Sequence, residues 1–224
     1  MPRLDIAGLS ARVEGPADAD LTVVLLHGFG ASGDDLVALG SELGVRARYV
    51  FPAAPLALPG IYGDARAWWM IDLAAFEGGA RDFAAIPAGF LEARRTVSHF
   101  LDELAALYAI TPDRLVLGGF SQGSMMVLDA ALTRAAPPAG LLLFSTTLVA
   151  EPEWAPRFGQ LAGVPVMMSH GRADPILPFA AADALRQRLA AAGASVSWVP
   201  FGGGHEIPMP ALTAAQELLR TAAR

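Results

Sequence analysis

The chain has 224 residues, 54% of them hydrophobic and 17% charged, with a net charge of −6 and no cysteine. That length suits one well-buried α/β domain spanning residues 1–224, and the missing cysteine excludes disulfides and thiol chemistry. All 16 basic residues are arginine, and they form no basic stripe, which argues against nucleic acid as a partner. The longest strongly apolar runs, 141–144 and 164–168, are strand-sized and far short of an integral membrane segment. The opening MPRLDIAG has no apolar signal core, so a cytoplasmic location is the expectation.

In chain order, two short segments near 4–8 and 10–14 read as a hairpin. Residues 22–26 are a continuous β-branched and leucine run that ends in His27-Gly28-Phe29-Gly30. A helix over about 34–43 and a short strand over 48–51 follow. Residues 52–86 keep neither the strand nor the helix period and are broken by proline and glycine. A connection of that length is usually a lid, a binding wall or disordered. Trp68, Trp69, Phe76 and Phe83 give it too much to bury for disorder. Two readings stand: the aromatics pack the loop onto the sheet, or some of them line an apolar pocket. Pro87 opens a helix over 87–108, with Phe90, Val97, Leu101, Leu104 and Tyr108 on one face.

The remainder alternates: strand 114–118, a helix from 121, strands 140–145 and 164–169, helix 178–192, strand 195–200 and a last helix near 210–222. Strands alternating with helices predict a mostly parallel sheet covered on both faces. In such a sheet ligands bind beyond the carboxyl ends of the strands.

Gly119-Phe120-Ser121-Gln122-Gly123 falls at that end, where strand becomes helix. Small residues on either side let strand and helix pass closely, and the pattern G-x-S-x-G in this context is a nucleophile elbow. Taken alone, it is equally a tight turn whose serine caps the next helix. A serine nucleophile needs a histidine to take its proton and a carboxylate to orient that histidine. In this topology the acid and then the histidine follow the serine in the chain. His170 and His205 are the histidines after Ser121. His205, in a glycine loop after strand 195–200, pairs naturally with Asp174 at the tip of the preceding strand. His170 would have to use Glu151 or Glu153, in a proline-broken segment, and reads instead as support for the Asp174 turn. His99 reads as solvated. Backbone N–H groups of Phe29 and Gln122 are the candidate oxyanion donors. His27, just before a glycine loop, reads as structural rather than as a second base.

Leu26-His27-Gly28-Phe29-Gly30, Phe51-Pro52-Ala53-Ala54-Pro55, Trp68-Trp69 with Asp72, Gly119-Phe120-Ser121-Gln122-Gly123, His170-Gly171-Arg172-Ala173-Asp174-Pro175 and Gly204-His205-Glu206 stand in the order of the phospholipase/carboxylesterase family. The chain resembles that family, which includes acyl-protein thioesterases and small bacterial carboxylesterases, over about residues 20–220. The resemblance implies an α/β-hydrolase fold without a large cap domain, and hydrolysis of small-molecule esters or thioesters without a cofactor. It places family roles on Ser121, Asp174 and His205, and on Phe29 and Gln122. The chain departs from the pattern after the tryptophan pair, where Met70-Ile71-Asp72 replaces a shorter W-F-D.

The expected activity is a serine esterase acting on short- to medium-chain esters, with Trp68 and Trp69 as candidate substrate-binding residues. Trp69 is the one expected to face the substrate, because adjacent residues of an extended segment point to opposite sides. The alternatives are a lysophospholipase or acyl-protein thioesterase using the same residues, and a ligand-binding relative that has lost catalysis. No metal site is expected, because the four histidines form no ligand cluster. The oligomeric state is left open, a homodimer included.

Overall fold

The computed structural model describes residues 3–58, 63–71 and 85–224. Its centre is an eight-stranded sheet: β1 (Arg3–Ile6), β2 (Leu9–Glu14), β3 (Thr22–Leu26), β4 (Arg48–Pro52), β7 (Leu115–Phe120), β8 (Gly140–Phe144), β9 (Pro165–Gly171) and β10 (Ser195–Phe201). A separate short pair, β5 (Leu56–Ala57) and β6 (Arg66–Ala67), is antiparallel and lies within the long aromatic segment. The helices are α1 (Val37–Leu43), α2 (Phe90–Tyr108), α3 (Gln122–Thr133), α4 (Glu151–Trp154), α5 (Phe179–Ala191) and α6 (Met209–Ala222). No helix among the described residues is long and apolar enough to cross a membrane.

The spatial order is β1-β2-β4-β3-β7-β8-β9-β10, antiparallel at β1–β2 and β2–β4 and parallel from β4 to β10. The hairpin of β1 and β2 turns through Ala7 and Gly8, both at positive φ (52° and 77°). That backbone gives a two-residue turn whose twist matches the strands.

Alternation along the central strands builds two cores. Val24 and Leu26, Leu115 and Leu117, Leu141 and Leu143, and Val166 and Met168 face one layer with α2, α3 and α5. Val23 and Leu25, Val116, Leu142 and Phe144, and Met167 face the other, closed by α1 and α6. Both faces are apolar because both are covered, which is why these strands read as continuous hydrophobic runs.

Helices α1, α2 and α3 each start later than their sequence signals suggest. Helix α2 begins at Phe90 rather than Pro87, because Gly89 takes a left-handed conformation (φ 80°) and breaks the first turn. It buries Phe90, Val97, Leu101 and Leu104 as expected, adds Ala93 and Phe100, and leaves Tyr108 half-buried. Helix α1 begins at Val37, after turns over the preceding residues. Helix α3 begins at Gln122, leaving Ser121 outside it.

The chain leaves β3 to one side, forms β4, and returns past β3 to form β7 on its other side. The direction of winding therefore reverses between β3 and β7. That switch point opens a crevice beyond the carboxyl ends of these two strands, where open α/β sheets bind ligands.

Candidate active site

Ser121 follows β7 at that crevice, with φ 52° and ψ −118°. A non-glycine residue in this region carries strain of about 1–3 kcal/mol and persists only where its surroundings enforce it. Here they do. The Ser121 N–H donates to the Phe144 carbonyl (2.9 Å), and the Ser121 carbonyl accepts from the N–H groups of Ser124 and Met125 (3.0 and 3.2 Å). A side chain at Gly123 would come within 2.0 Å of the Leu26 carbonyl oxygen, and one at Gly119 within 2.5 Å of the Gly123 backbone. Both glycines are thus required for α3 to pass so close to β3 and β7. The serine is left outside the helix rather than used as its cap: it makes no side-chain capping bond.

Two loops flank it. From β3, Gly28 lies so close that a side chain there would stand 3.4 Å from Ser121 Cβ. From β10, His205 packs its ring against Phe120, the residue before the serine, at 4.7 Å between centroids. His205 Nδ1 is 2.7 Å from Asp174 Oδ2. The other carboxylate oxygen of Asp174 accepts the N–H groups of Ile176 and Leu177, both at 2.8 Å. Burial works against the charge on Asp174, but the His205 bond and these two N–H groups outweigh it and hold the carboxyl below its usual pKa. An ionised carboxylate only accepts, so His205 donates Nδ1–H and keeps the Nε2 lone pair for another proton. Among the described residues no hydrogen bond joins Ser121 Oγ to that ring, and such contacts commonly tighten only when substrate binds.

The Asp174 turn and the His205 loop are fitted to each other. Ala173 N–H donates to the Gly203 carbonyl (3.0 Å) and Arg172 N–H to the Phe201 carbonyl (2.7 Å). A side chain at Gly171 would lie 2.1 Å from the Gly204 carbonyl oxygen. Gly203 and Gly204, in a run that looks merely flexible in sequence, are therefore packed against that turn, while Gly202 is exposed.

The other histidines have different surroundings. His170 is buried, and its Nε2 donates to the Leu177 carbonyl (2.9 Å) and lies 3.4 Å from Asp174 Oδ2. Burial outweighs those acceptors and lowers its pKa. His27 is also buried; Nδ1–H donates to the Gly28 carbonyl (2.8 Å) while Nε2 accepts the Ala54 N–H (3.0 Å). Both nitrogens are engaged in fixing the loop after β3, and burial lowers its pKa as well. His99 is exposed on α2.

Both candidate oxyanion donors lie in segments adjacent to Ser121. The Gln122 N–H belongs to the first turn of α3 and has no intrahelical acceptor. Phe29 follows Gly28 in the β3 loop and is half-buried.

The tryptophan pair is arranged differently from the expectation. Trp68 is 1% exposed and Trp69 3%, both within one core cluster, while Met70 beside them is 54% exposed. Trp68 lies tilted near His27 (5.6 Å between ring centroids), and Trp69 meets Phe90 edge-on at 5.2 Å. The segment bends enough that neither ring is turned to solvent. Asp72, Phe76 and Phe83 lie outside the described residues.

One feature had no signal in the sequence. The side chain of Gln122 is buried and pairs with the backbone of both tryptophans: Oε1 accepts the Trp68 N–H (2.9 Å) and Nε2 donates to the Trp69 carbonyl (2.8 Å). A glutamine at the start of a helix normally reads as solvated.

Comparison with known proteins agrees with this fold. The phospholipase/carboxylesterase family model aligns with residues 10–223. An acyl-protein thioesterase 1 of Neurospora crassa is 28% identical over 212 residues, covering 88% of this chain and 85% of the relative. The crystal structure of esterase PE8 superposes with a TM-score of 0.83 at 29% identity, covering 95% of this chain and 98% of that one. A carboxylesterase from Mesorhizobium loti shares the fold with a TM-score of 0.78 at 23% identity, covering 98% of each chain. With the strained serine, the buried acid and the paired histidine at one switch point, and a family model aligned over nearly the whole chain, the chain belongs to the phospholipase/carboxylesterase family.

Proposed function

We propose that this carboxylic ester hydrolase is a serine esterase in which Ser121 is the nucleophile, His205 the general base and acid, and Asp174 the residue that holds His205 in its reactive tautomer. The observation that carries the reading is the 2.7 Å bond from His205 Nδ1 to a carboxylate held ionised beside a strained, glycine-flanked serine. Ser121 Oγ attacks the ester carbonyl carbon as its proton passes to His205 Nε2. The N–H groups of Phe29 and Gln122 donate to the oxygen that becomes negative. The imidazolium is stabilised by Asp174 and returns its proton to the departing alcohol as the tetrahedral intermediate collapses to an acyl-enzyme. Water, deprotonated by the same nitrogen, then releases the acid and restores Ser121.

Short- to medium-chain esters are the proposed substrates; the esterase among the structural relatives supports esters as the substrate class. The acyl-protein thioesterase among the sequence relatives makes long-chain thioesters the comparison of choice. The test is kcat/KM for p-nitrophenyl acetate through decanoate beside a palmitoyl thioester, for wild type and Ser121→Ala. We expect the esters to be preferred and Ser121→Ala to lose up to about 10⁶ in kcat. An alanine variant retaining a tenth of the rate would remove Ser121 as nucleophile. A preference for the palmitoyl thioester would move the activity to the thioesterase class. Failure of a fluorophosphonate to label Ser121 would point to a binding protein.

A further inference from the structure

The two proposed oxyanion donors come from different strand ends, and one short segment touches the surroundings of both. The Arg66 carbonyl accepts the Gly30 N–H (2.9 Å), and the Arg66 N–H donates to the Ala31 carbonyl (3.0 Å), so β6 is laced to the residues directly after Phe29. Arg66 Nη1 also donates to the Ala54 carbonyl (3.0 Å), next to the N–H that holds His27. Two residues later, the Trp68 indole N–H donates to the His27 carbonyl (2.9 Å), reaching the same loop from its other end. The Gln122 side chain grips the pair from outside, accepting the Trp68 N–H (2.9 Å) and donating to the Trp69 carbonyl (2.8 Å). Ala67, Trp68 and Trp69 are all buried, so the bonds made by the two tryptophans form where water does not compete.

We propose that residues 66–69 are a brace that sets the separation of the Phe29 and Gln122 N–H groups, and that the Gln122 amide is a positioning residue at one end of it. The proposal rests on the assignment of those two N–H groups as oxyanion donors. Donors stabilise the transition state only when they lie about 2.7–3.1 Å from the place the oxyanion will occupy. A displacement of about 1 Å can cost ~100-fold in rate. Gln122 acts at both ends of its own residue: its backbone N–H points to the reacting oxygen while its side chain ties the same residue to the brace. Arg66, laced to Gly30 and Ala31, does the same for the Phe29 side. The tryptophan pair then serves the reaction from within the core, by anchoring the brace, rather than by lining a substrate pocket.

The experiment compares Gln122→Met, which keeps the length of the side chain and removes both hydrogen bonds, with wild type. The readouts are kcat, KM, melting temperature and the Ki of an octyl trifluoromethyl ketone, whose serine adduct carries an oxyanion. A displaced donor lowers kcat by about 10–100-fold with KM changed less than about threefold, and raises Ki by a similar factor. A residue that only supports the fold would lower the melting temperature and leave the kcat-to-KM split and the ketone affinity untouched. Trp68→Phe, which removes the indole N–H and keeps a ring in the core, is the second variant and is expected to weaken kcat and ketone binding in the same direction. If Gln122→Met does not fold, Trp68→Phe decides: unchanged kcat and Ki would overturn the brace. A wild type that the ketone does not inhibit would overturn the esterase assignment and the brace with it. A wild type that is inhibited, with folded variants inhibited equally well, would overturn the brace alone.

Discussion

Ser121 shows how little room a nucleophile elbow leaves. Its positive φ is maintained because β7 and α3 meet at Gly119 and Gly123 with no space for even a methyl group. At Gly123 the obstacle is a carbonyl of the neighbouring central strand, which cannot rotate away as a side chain would. Gly123→Ala is therefore expected to destabilise the fold by about 3 kcal/mol or more, the upper end of overpacking costs. For a chain of this size that lowers the melting temperature by ~10 °C. A Gly123→Ala protein melting within about 2 °C of wild type, a shift worth under about 1 kcal/mol, would show that strand and helix can separate here after all. The G-x-S-x-G pattern was readable because its constraint is local. The strain itself, with Ser121 outside the helix instead of capping it, needed the backbone angles.

At the scale of elements, three helices are tied by one polar cluster beneath the surface. Arg94 of α2 donates to both oxygens of Asp129 on α3 (2.9 and 2.7 Å) and to Glu153 of α4 (2.9 Å). The Trp154 indole N–H completes Asp129 at 2.9 Å. The Asp129 side chain has no solvent contact, and the Arg94 side chain is 18% exposed. The Asp129 hydrogen bond outweighs burial and raises the Arg94 pKa, so the guanidinium stays charged at any accessible pH. Asp129→Ala would leave the guanidinium with Glu153 alone and strand the indole donor, a cost toward the lower end of the roughly 3–5 kcal/mol for breaking a buried pair from one side. Thermal melting should fall by about 10 °C. A loss below about 1 kcal/mol would class the pair with ordinary surface ion pairs. Sequence reading found α2 and α3 but not this link. The helical period reports which face is apolar, and the partner of a charged residue on that face lies dozens of residues away.

Across the whole molecule, stability should depend on acid in two stages. His27 and His170 have pKa values lowered from 6.5 by burial, so they stay neutral in the fold while the unfolded chain takes up protons. The unfolded state then binds more protons, and stability falls as pH drops below about 6.5, continuing until the folded-state values are passed. Asp174, also lowered from its usual value of 3.8, adds a second loss below that pH. Melting temperature measured from pH 8 to 4 should be flat above about pH 7 and decline below it. His27→Gln should melt lower at pH 8 but decline less steeply between pH 7 and 5. An equal slope in wild type and variant would exclude His27 as a source of the acid sensitivity.

The sequence by itself determined the order of the strands of the main sheet and of the longer helices, and the position of the serine at a strand end. It also determined that an acid and a histidine follow that serine in an order that can serve it. Each of these is written in local pattern: hydrophobic period, small residues at a tight crossing, and the succession of motifs. Tertiary structure decided which groups meet. It placed Asp174 and His205 2.7 Å apart and closed Gly203 and Gly204 against Gly171. It committed both nitrogens of His27 to backbone groups. It also buried Trp68 and Trp69 together, against the expectation that strand-like alternation would turn one outward. Alternation holds only along a regular extended segment, and here the chain bends immediately after β6 to meet the side chain of Gln122, more than 50 residues farther along. No periodicity encodes a contact made at that distance; it exists only once β3, β7 and the aromatic segment converge at the switch point.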